Sequence, residues 1–275
     1  MDTFYLKKLM ADTPSQNTVF KRNILKDYFQ IAVLDYLYAN PVYAKLVFYG
    51  GSSLAHCYGL PRLSEDLDFV QFGDAIDLAN LEVDLKSFFK EKLGIEAQTS
   101  IQKFRILLKL PVLAELGLSN NSSESNILML KIEIFRDTGL LIGAPTEIIP
   151  IFKHGKSILV RSFDLPTLMA TKIRAVLHRK WTKTDKEGNV LASVKGRDYF
   201  DLMWYLEKGV KPNLAILSEA QHMEDLKKQL LDAVEKADEK SIAFDLEAFI
   251  ADNIFVSNVS KNIKDILRRA IANLY

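Results

Sequence analysis

The residues in this chain best suited to chemistry are a glycine–serine turn and, shortly after it, two aspartates. The turn reads Gly50-Gly51-Ser52-Ser53. Glycines allow the backbone to approach a phosphate closely, and the free N–H groups of a helix that starts there can bind it. The aspartates are Asp66 and Asp68, separated by one leucine. Neighbouring carboxylates repel each other, so a divalent cation between them is the simplest explanation of the pair.

Short secondary-structure elements must position these groups. The apolar run 46–49 predicts a buried strand that ends at the glycines. We expect a short helix to start at Ser52 or Ser53, with one serine as its N-cap and the other bonded to a phosphate oxygen. The two acids are expected on a second strand, near residues 66–71, where alternation directs both carboxylates to one face.

A third acid, Glu133, lies on a later strand predicted from the β-favouring run Ile127–Phe135. Alternation places Lys131 and Glu133 on the same face of that strand. If it runs beside the strand that carries the aspartates, three carboxylates converge. Three acids with Mg²⁺ could hold a nucleoside triphosphate and activate an attacking hydroxyl. An exposed strand charge is the alternative explanation of Glu133.

Two further polar elements lie in the second half of the chain. Lys172 is predicted near the middle of a helix capped by Asp164, where it could pair with phosphate oxygens or be an ordinary solvated lysine. Asp198 and Asp201 are spaced i, i+3 near the start of another helix. Acids are favourable at that end of a helix, which gives a purely structural alternative to a role in a site.

Taken in order, these elements resemble the nucleotidyltransferase superfamily related to DNA polymerase β. More narrowly, the chain resembles the AbiEii-type nucleotidyltransferase toxins of bacterial type IV toxin–antitoxin systems. The elements that carry the resemblance are G-G-S, D-L-D, K-x-E, T-x4-K-x2-A and K-G-R-D-x2-D, spread over residues 45–205. In the last element Lys195 stands where the family has arginine.

The resemblance implies a role for each matching residue. Asp66, Asp68 and Glu133 would hold the metal, and Lys172 would bind the triphosphate. Asp198 would act as a base or as an organiser of Lys172. The nucleotide-binding set would also include Gly51, Ser52 and Ser53, and supporting roles would fall to Arg62, Lys131, Arg197 and Asp201. For Arg62, a structural salt bridge explains the residue equally well.

Composition and pattern indicate an α+β protein with two domains. The pattern is mixed α/β up to residue 162 and helical afterwards, which predicts one domain over 1–162, which the resemblance implies is the nucleotidyltransferase domain, and an all-helical domain over 163–275. In the first we also expect helices over 17–39 and 77–93, strands near 95–101, 104–110, 147–152 and 157–161, and a polar loop over 120–126. In the second we expect helices over 165–180, 196–208, 220–237, 243–252 and 257–273. The resemblance implies the same division, with the nucleotide bound across the cleft between the domains. The net charge of +1 gives no global signal for nucleic acid. One cysteine fits a reducing cytoplasm, and we expect no membrane segment.

The expected activity is Mg²⁺-dependent transfer of a nucleoside monophosphate from a nucleoside triphosphate to an acceptor hydroxyl. The resemblance favours the 3′ end of tRNA as acceptor and implies a toxin of a toxin–antitoxin or phage-defence pair, with an antitoxin encoded nearby. The basic segment 178–189 could guide RNA or be a solvated loop. Two alternatives remain open: a small-molecule acceptor of the antibiotic type, or a non-catalytic module that binds nucleotide or RNA.

Overall fold

The computed structural model describes residues 3–13, 17–119, 125–137, 139–218 and 222–274. The chain divides into two compact units, Met1–Phe163 (unit 1) and Asp164–Tyr275 (unit 2). Unit 1 is mixed α/β, and unit 2 is built mainly from helices. Within the described ranges, no helix is both long and apolar enough to cross a bilayer.

The described part of unit 1 contains four helices and seven strands. The helices are α1 (Thr3–Ala11), α2 (Thr18–Ala39), α3 (Gly50–Tyr58) and α4 (Leu78–Leu93). The strands are β1 (Val47–Tyr49), β2 (Leu67–Gln71), β3 (Gln98–Gln102), β4 (Arg105–Pro111), β5 (Ile127–Arg136), β6 (Thr146–Lys153) and β7 (Lys156–Phe163). The sequence pattern predicted each of these strands and helices except α1. Part of the polar loop expected over residues 120–126 lies outside the described residues.

The strands form a single sheet in the order β3-β4-β5-β2-β1-β7-β6. Strand β2 lies at its centre, antiparallel to β1 and parallel to β5. The predicted neighbourhood of the acid-bearing strand and the Glu133 strand is therefore confirmed. Asp66 lies one residue before β2 rather than on it. Because side chains alternate along β2, Leu67 and Phe69 are fully buried while Asp68 points to the other, partly solvated face.

Helices α2 and α4 pack against the sheet and close the core of unit 1. Helix α2 starts after Asn17, whose side chain accepts from the backbone N–H groups of Val19 and Phe20. Fully buried phenylalanines pack in this core, with Phe48 of β1 and Phe69 of β2 stacked at 5.2 Å and Phe29 of α2 at 6.0 Å from Phe89 of α4, measured between ring centres. Burial of each such side chain contributes about 1.5–3 kcal/mol to stability. The core therefore fixes the strands that carry the polar groups.

Unit 2 contains five α-helices in its described part. They are α5 (Leu165–His178), α6 (Gly196–Glu207), α7 (Met223–Glu235), α8 (Glu239–Leu246) and α9 (Asn253–Ala272). A short 3-10 helix, Leu214–Ile216, follows α6. The predicted cap of α5 is confirmed, since the Asp164 side chain accepts from the N–H of Thr167 at 3.0 Å. The start predicted for α7, residue 220, lies outside the described residues.

Two details of unit 2 differ from the sequence-based expectation. A small hairpin of β8 (Lys183–Thr184) and β9 (Val190–Ala192) interrupts the helices, at the Gly-Asn turn of the basic segment. The helix predicted over 243–252 is observed earlier in the chain, as α8. Asp238 explains the shift, because its carboxylate accepts from the N–H of Ser241 at 2.8 Å and starts the helix earlier.

Candidate active site

The glycine turn forms a sharp junction between β1 and α3. Helix α3 begins at Gly50, and Tyr49 occupies the N-cap position. The expectation that the helix starts at Ser52 or Ser53, with one serine as the N-cap, was therefore wrong. The reason is Gly50, which adopts φ +78°, a conformation that favours glycine and lets the chain turn earlier. A Cβ on Gly50 would lie 2.5 Å from Oδ2 of Asp68, so the turn packs directly against that acid.

Both serines of the turn are fully buried and hydrogen-bonded inside unit 1. The Ser52 hydroxyl donates to the backbone oxygen of Asp66 and lies 3.2 Å from Oγ of Ser64. The hydroxyls of Ser53 and Ser162 are 2.7 Å apart. Ser52 thus connects the glycine turn to the loop that leads into Asp66, and Ser53 connects it to β7. The nucleotide-binding role of Gly51, Ser52 and Ser53 stays a prediction.

Arg62 is buried beside the glycine turn. A Cβ on Gly51 would come within 2.8 Å of Nη2 of Arg62, so the guanidinium occupies the space that a side chain at Gly51 would need. Nη1 of Arg62 donates to the backbone oxygen of Leu63 at 2.8 Å. The arginine therefore holds the loop before the acids through a backbone hydrogen bond. Its supporting role in binding and the structural salt bridge both stay predictions.

The acids on β2 and β5 stand next to each other across the sheet. Asp68 and Glu133 are directly paired in the parallel register of the two strands. Asp66 and Glu133 each have a cation beside them. Oδ2 of Asp66 is 3.2 Å from Nζ of Lys131, and Oε1 of Glu133 is 3.3 Å from Nε of Arg105.

Arg105 was not among the residues that the sequence indicated. It lies opposite Glu133 in the antiparallel register of β4 and β5. No local spacing links the two residues, because a pairing across strands depends on the register of the sheet. The alternation of polar and apolar residues along β4 placed Arg105 on the polar face, and this was the only signal that could have suggested the contact.

The three carboxylates match Mg²⁺ in chemistry, because that ion prefers oxygen ligands. Asp68 and Glu133 are neighbours, and Asp66, just before β2, contacts Lys131, which lies on the same face of β5 as Glu133. In the part of the chain that the structure describes, however, no group of three His, Cys, Asp or Glu side chains is arranged to hold a metal ion. Lys131 pairs with Asp66 and Arg105 pairs with Glu133, so these two cations balance part of the negative charge of the acids. Metal binding by Asp66, Asp68 and Glu133 stays a prediction.

Unit 2 contains a second cluster of charges, which joins α5 and α6. Nζ of Lys172 lies 2.9 Å from Oδ1 of Asp198 and 2.8 Å from Oδ2 of Asp201. Nη1 of Arg179 lies 2.8 Å from Oδ2 of Asp198. Both aspartates are buried, and the Lys172 side chain is only 12% exposed. The structure thus brings Lys172, Asp198 and Asp201 together as one buried ion-pair network.

The network determines the protonation of Asp198. Burial alone would raise the pKa of this carboxyl, but the charges of Lys172 and Arg179 outweigh burial and lower the pKa below its ordinary value. Both of its oxygens also accept from a cation. A carboxylate held in this way is a weak proton acceptor, so the geometry favours an organising role for Asp198 over a role as a base.

Arg179 is the residue of this network that the sequence reading missed. In the sequence alone, Arg179 at the end of α5 resembles an ordinary solvated basic residue. The available signal was its spacing, because Arg179 follows Lys172 by seven residues, or about two helical turns, and therefore lies on the same side of the helix.

Lys195 and Arg197, the two basic residues of the K-G-R-D-x2-D element, have different surroundings. Nε of Arg197 lies 3.3 Å from Oδ2 of Asp245, and its guanidinium stacks over Phe249 at 3.9 Å. Arg197 therefore ties the start of α6 to α8. Lys195 precedes α6, and burial, with repulsion from Arg197 and Arg179, lowers the pKa of its amine to about 8.

The basic segment 178–189 forms the start and turn of the small hairpin. The carboxylate of Asp185 accepts from the N–H groups of Glu187 and Asn189 at 2.9 and 2.8 Å and so fixes the turn. Nζ of Lys183 lies 5.1 Å from the centre of the Phe244 ring. The segment is thus an ordered turn with exposed basic residues, and contact with RNA stays a prediction.

Comparison with known proteins gives a consistent result. The sequence model of the family "Nucleotidyl transferase AbiEii toxin, Type IV TA system" matches residues 33–271. MenT4, a nucleotidyltransferase toxin from Mycobacterium tuberculosis H37Rv, is structurally similar over 98% of this chain and 89% of its own, with 15% identity and a TM-score of 0.56. JHP933 from Helicobacter pylori matches over 92% of this chain and 93% of its own, with 17% identity and a TM-score of 0.49. No curated protein matches the sequence.

Proposed function

This chain belongs to the AbiEii family of nucleotidyltransferase toxins, and on that premise we propose that it transfers a nucleoside monophosphate to an RNA hydroxyl. The nucleotide comes from a nucleoside triphosphate, and the acceptor is the 3′ end of tRNA. The acceptor oxygen bonds to the α-phosphorus while the bond from that phosphorus to the pyrophosphate oxygen breaks. The hydroxyl proton is released, and pyrophosphate leaves.

The observation that carries this proposal is the direct pairing of Asp68 with Glu133 across two parallel strands, beside a glycine turn. Transfer of a nucleotidyl group requires positioning and neutralisation of phosphate charge more than covalent chemistry by the protein. Asp66, Asp68 and Glu133 would bind Mg²⁺, which would supply positive charge to the phosphate oxygens. The cations beside Asp66 and Glu133 are partly exposed and can be displaced at low cost.

Lys172 supplies positive charge for the triphosphate oxygens. Asp198 and Asp201 hold its ammonium group in a fixed position, because both carboxylates lie within 3 Å of Nζ. In this proposal Asp198 is a positioning residue for Lys172. Ser52 acts in a similar way on the loop that leads into Asp66, through its bond to the backbone of Asp66.

The toxin assignment of the family supports RNA as the target and a partner that neutralises the activity. Within this chain, the exposed basic turn before α6 gives a surface that attracts a phosphate backbone. We assign the reaction to the cytoplasm, where tRNA and nucleoside triphosphates are found. An antitoxin encoded nearby is the expected partner.

Labelling of acceptors tests the proposal directly. Purified protein is incubated with Mg²⁺, each α-labelled nucleoside triphosphate in turn, and a panel that contains total tRNA and an aminoglycoside. We expect label on tRNA with at least one triphosphate, and loss of that label in the Asp68→Asn variant. The matched control is Asp74→Asn, which changes an exposed acid of the same unit and leaves labelling intact.

Two outcomes would contradict the proposal. Label on the aminoglycoside alone would show a small-molecule acceptor. Equal labelling by wild-type protein and the Asp68→Asn variant would show that the transfer does not use this site.

A further inference from the structure

A buried chain of polar side chains leads from α2 and α3 to the loop that carries Asp66. Nε2 of Gln30 donates to the backbone oxygen of Ser64 at 3.0 Å. Nε2 of His56 lies 2.9 Å from Oε1 of the same glutamine. Nδ1 of His56 is 3.9 Å from Oδ1 of Asp27. We call Asp27, His56, Gln30 and Ser64 the polar chain. All four residues lie in unit 1.

The direction of each hydrogen bond in the polar chain follows from donor and acceptor chemistry. The amide nitrogen of Gln30 faces a carbonyl, so its amide oxygen must accept from His56. Nε2 of His56 therefore carries the proton, and Nδ1 is left as an acceptor. Nζ of Lys153, at 3.5 Å from Nδ1, is a suitable donor to it. Burial lowers the pKa of His56 to about 4, which keeps this imidazole neutral.

The far end of the polar chain is firmly anchored. Asp27 is buried and accepts from Nζ of Lys153 at 2.7 Å and from Nε2 of His154 at 2.9 Å. The hydroxyl of Tyr5 is 2.8 Å from Nδ1 of His154. Although burial opposes the charge, the hydrogen bond from His154 and the charge of Lys153 lower the pKa of Asp27 to about 2. Lys153, which donates to this carboxylate, also lies 3.5 Å from Nδ1 of His56, so it links Asp27 to one side of the His56 ring.

The near end of the polar chain holds a segment that regular structure leaves unsupported. Residues 62–66, which we call the acid loop, precede β2 and belong to no helix or strand. Gln30 binds the backbone oxygen of Ser64, and Ser52 binds the backbone oxygen of Asp66. These two bonds hold alternate carbonyls of the loop from the side of the core. The loop in turn determines where the carboxylate of Asp66 enters the sheet face that also carries Asp68.

We propose that Gln30 and His56 are positioning residues for the acid loop, so that the hydrogen bond from His56 to Gln30 to Ser64 determines how well Asp66 and Asp68 bind a divalent cation. The proposal rests on the proposed function for its consequence in catalysis. The geometry of the loop can be measured independently of any activity.

The test uses the full chain and three variants of the polar chain. Gln30→Leu removes the donor to Ser64, and His56→Leu removes the donor to Gln30. His56→Gln keeps an amide N–H near the position of the imidazole Nε2 and serves as the conservative replacement. Leu25→Ala is the matched control, because Leu25 is fully buried on the same helix and its truncation destabilises the core without touching the polar chain.

Hydrogen exchange of the amides of residues 62–66 is the primary measurement. We expect exchange to be about 10-fold faster in Gln30→Leu and His56→Leu, as for the loss of one buried hydrogen bond, and close to wild type in His56→Gln. Leu25→Ala should show no increase confined to this loop. If the amides of residues 62–66 exchange at the same rate in Gln30→Leu as in wild type, the proposal is overturned.

The second measurement is the Mg²⁺ concentration that gives half-maximal nucleotide transfer. We expect it to rise about 10-fold in Gln30→Leu and to be restored towards wild type in His56→Gln, with kcat at saturating Mg²⁺ changed less. A loss of kcat with no change in the Mg²⁺ requirement would contradict the proposal. If wild-type protein transfers no nucleotide, the proposed function fails, and loop exchange together with Mn²⁺ binding by paramagnetic resonance still decides the positioning role.

Discussion

The acid group of unit 1 and the ion-pair network of unit 2 use the same side-chain types under opposite conditions. In unit 1, Asp66 and Lys131 are 29% and 40% exposed and make a single contact of 3.2 Å. In unit 2, Lys172 is 12% exposed and Asp201 fully buried, and Lys172 contacts two carboxylates below 3 Å. One group is open and loosely paired, whereas the other is enclosed and multiply paired.

The difference indicates what each group can do. An exposed ion pair contributes about 0–1 kcal/mol, so the carboxylates of unit 1 can exchange a lysine for a metal ion at little cost. Breaking a buried pair leaves an uncompensated charge and costs about 3–5 kcal/mol. The network of unit 2 therefore acts as a rigid support. We expect substitutions in unit 1 to change activity more than stability, and substitutions in unit 2 to change both.

The largest expected effect concerns Asp68. Asp68→Asn should lower kcat/KM for nucleotide transfer by about 10³-fold, since several kcal/mol of charge stabilisation are lost with the metal ligand. Its free energy of unfolding should change by less than about 1 kcal/mol, because the carboxylate is partly exposed. Urea titration and initial rates measure the two quantities. A large loss of stability in this variant would remove the contrast with unit 2.

The next effect concerns the network of unit 2. Lys172→Met should lower the free energy of unfolding by about 3–5 kcal/mol, because Asp198 and Asp201 would stay buried without their shared cation. Both tryptophans, Trp181 and Trp204, lie in unit 2, so tryptophan fluorescence during urea unfolding reports on this unit.

The control is Lys180→Met, the same change at an exposed position of the same segment, which should cost less than about 0.5 kcal/mol. Equal costs for Lys172→Met and Lys180→Met would mean that the network contributes nothing to stability.

The two units should also respond differently to acid. His56 in unit 1 has an ordinary pKa of 6.5 that burial lowers to about 4. A group with a lowered folded-state pKa contributes stability above its unfolded pKa and loses it as pH falls through the folded pKa. Unit 1 should therefore lose up to about 3 kcal/mol between pH 6.5 and 4. Asp198, whose pKa is lowered from 3.8, weakens unit 2 only below that value.

Urea unfolding at several pH values measures this response, with circular dichroism for the whole chain and tryptophan fluorescence for unit 2. The His56→Gln variant should lack the loss between pH 6.5 and 4. The charges that face His56 are Asp27, Lys153 and His154, and the variant leaves all three in place. A wild-type profile that is flat in this range would contradict the assignment of a buried neutral His56.

The smallest expected change in activity concerns the glycine turn. Gly50→Ala and Gly59→Ala both place alanine at a positive φ, at a cost of about 1 kcal/mol each. Only the Cβ at Gly50 meets an obstacle, Oδ2 of Asp68 at 2.5 Å, while nothing lies within 4 Å of a Cβ at Gly59. Gly50→Ala should therefore also raise the Mg²⁺ requirement, and Gly59→Ala should not. Equal activity of the two variants would show that the turn does not position Asp68.

Local patterns in the sequence were sufficient for most of the fold. Alternation along β5 and over residues 67–69 of β2 predicted which residues are buried, whereas Val70 is buried against the pattern. The spacing of apolar residues predicted α2 and α4. The predictions were wrong about the first residue of two helices, because another residue nearby started each helix earlier. Gly50 started α3 before either serine, and Asp238 started α8 before the predicted residue. In both cases the capping conformation was decided by one residue outside the apolar pattern.

The candidate site was predicted in its residue types and only partly in its contacts. The sequence indicated Asp66, Asp68 and Glu133, and the parallel pairing of β2 with β5 makes the last two neighbours. Their cation partners could not be predicted in the same way. Arg105 reaches Glu133 through the register of β4, and register is a property of the whole sheet.

By itself, the sequence determined the strand that ends at the glycines, the partly solvated face of Asp68 and the helix positions of Lys172 and Asp198. Periodicity, capping and turn chemistry act within a few residues, so each of these features can be read locally. Only the tertiary structure decided which charges compensate one another and that Gln30 and His56 support the acid loop. Those contacts join residues far apart in the chain, and they form because buried polar groups must find partners once the core has closed.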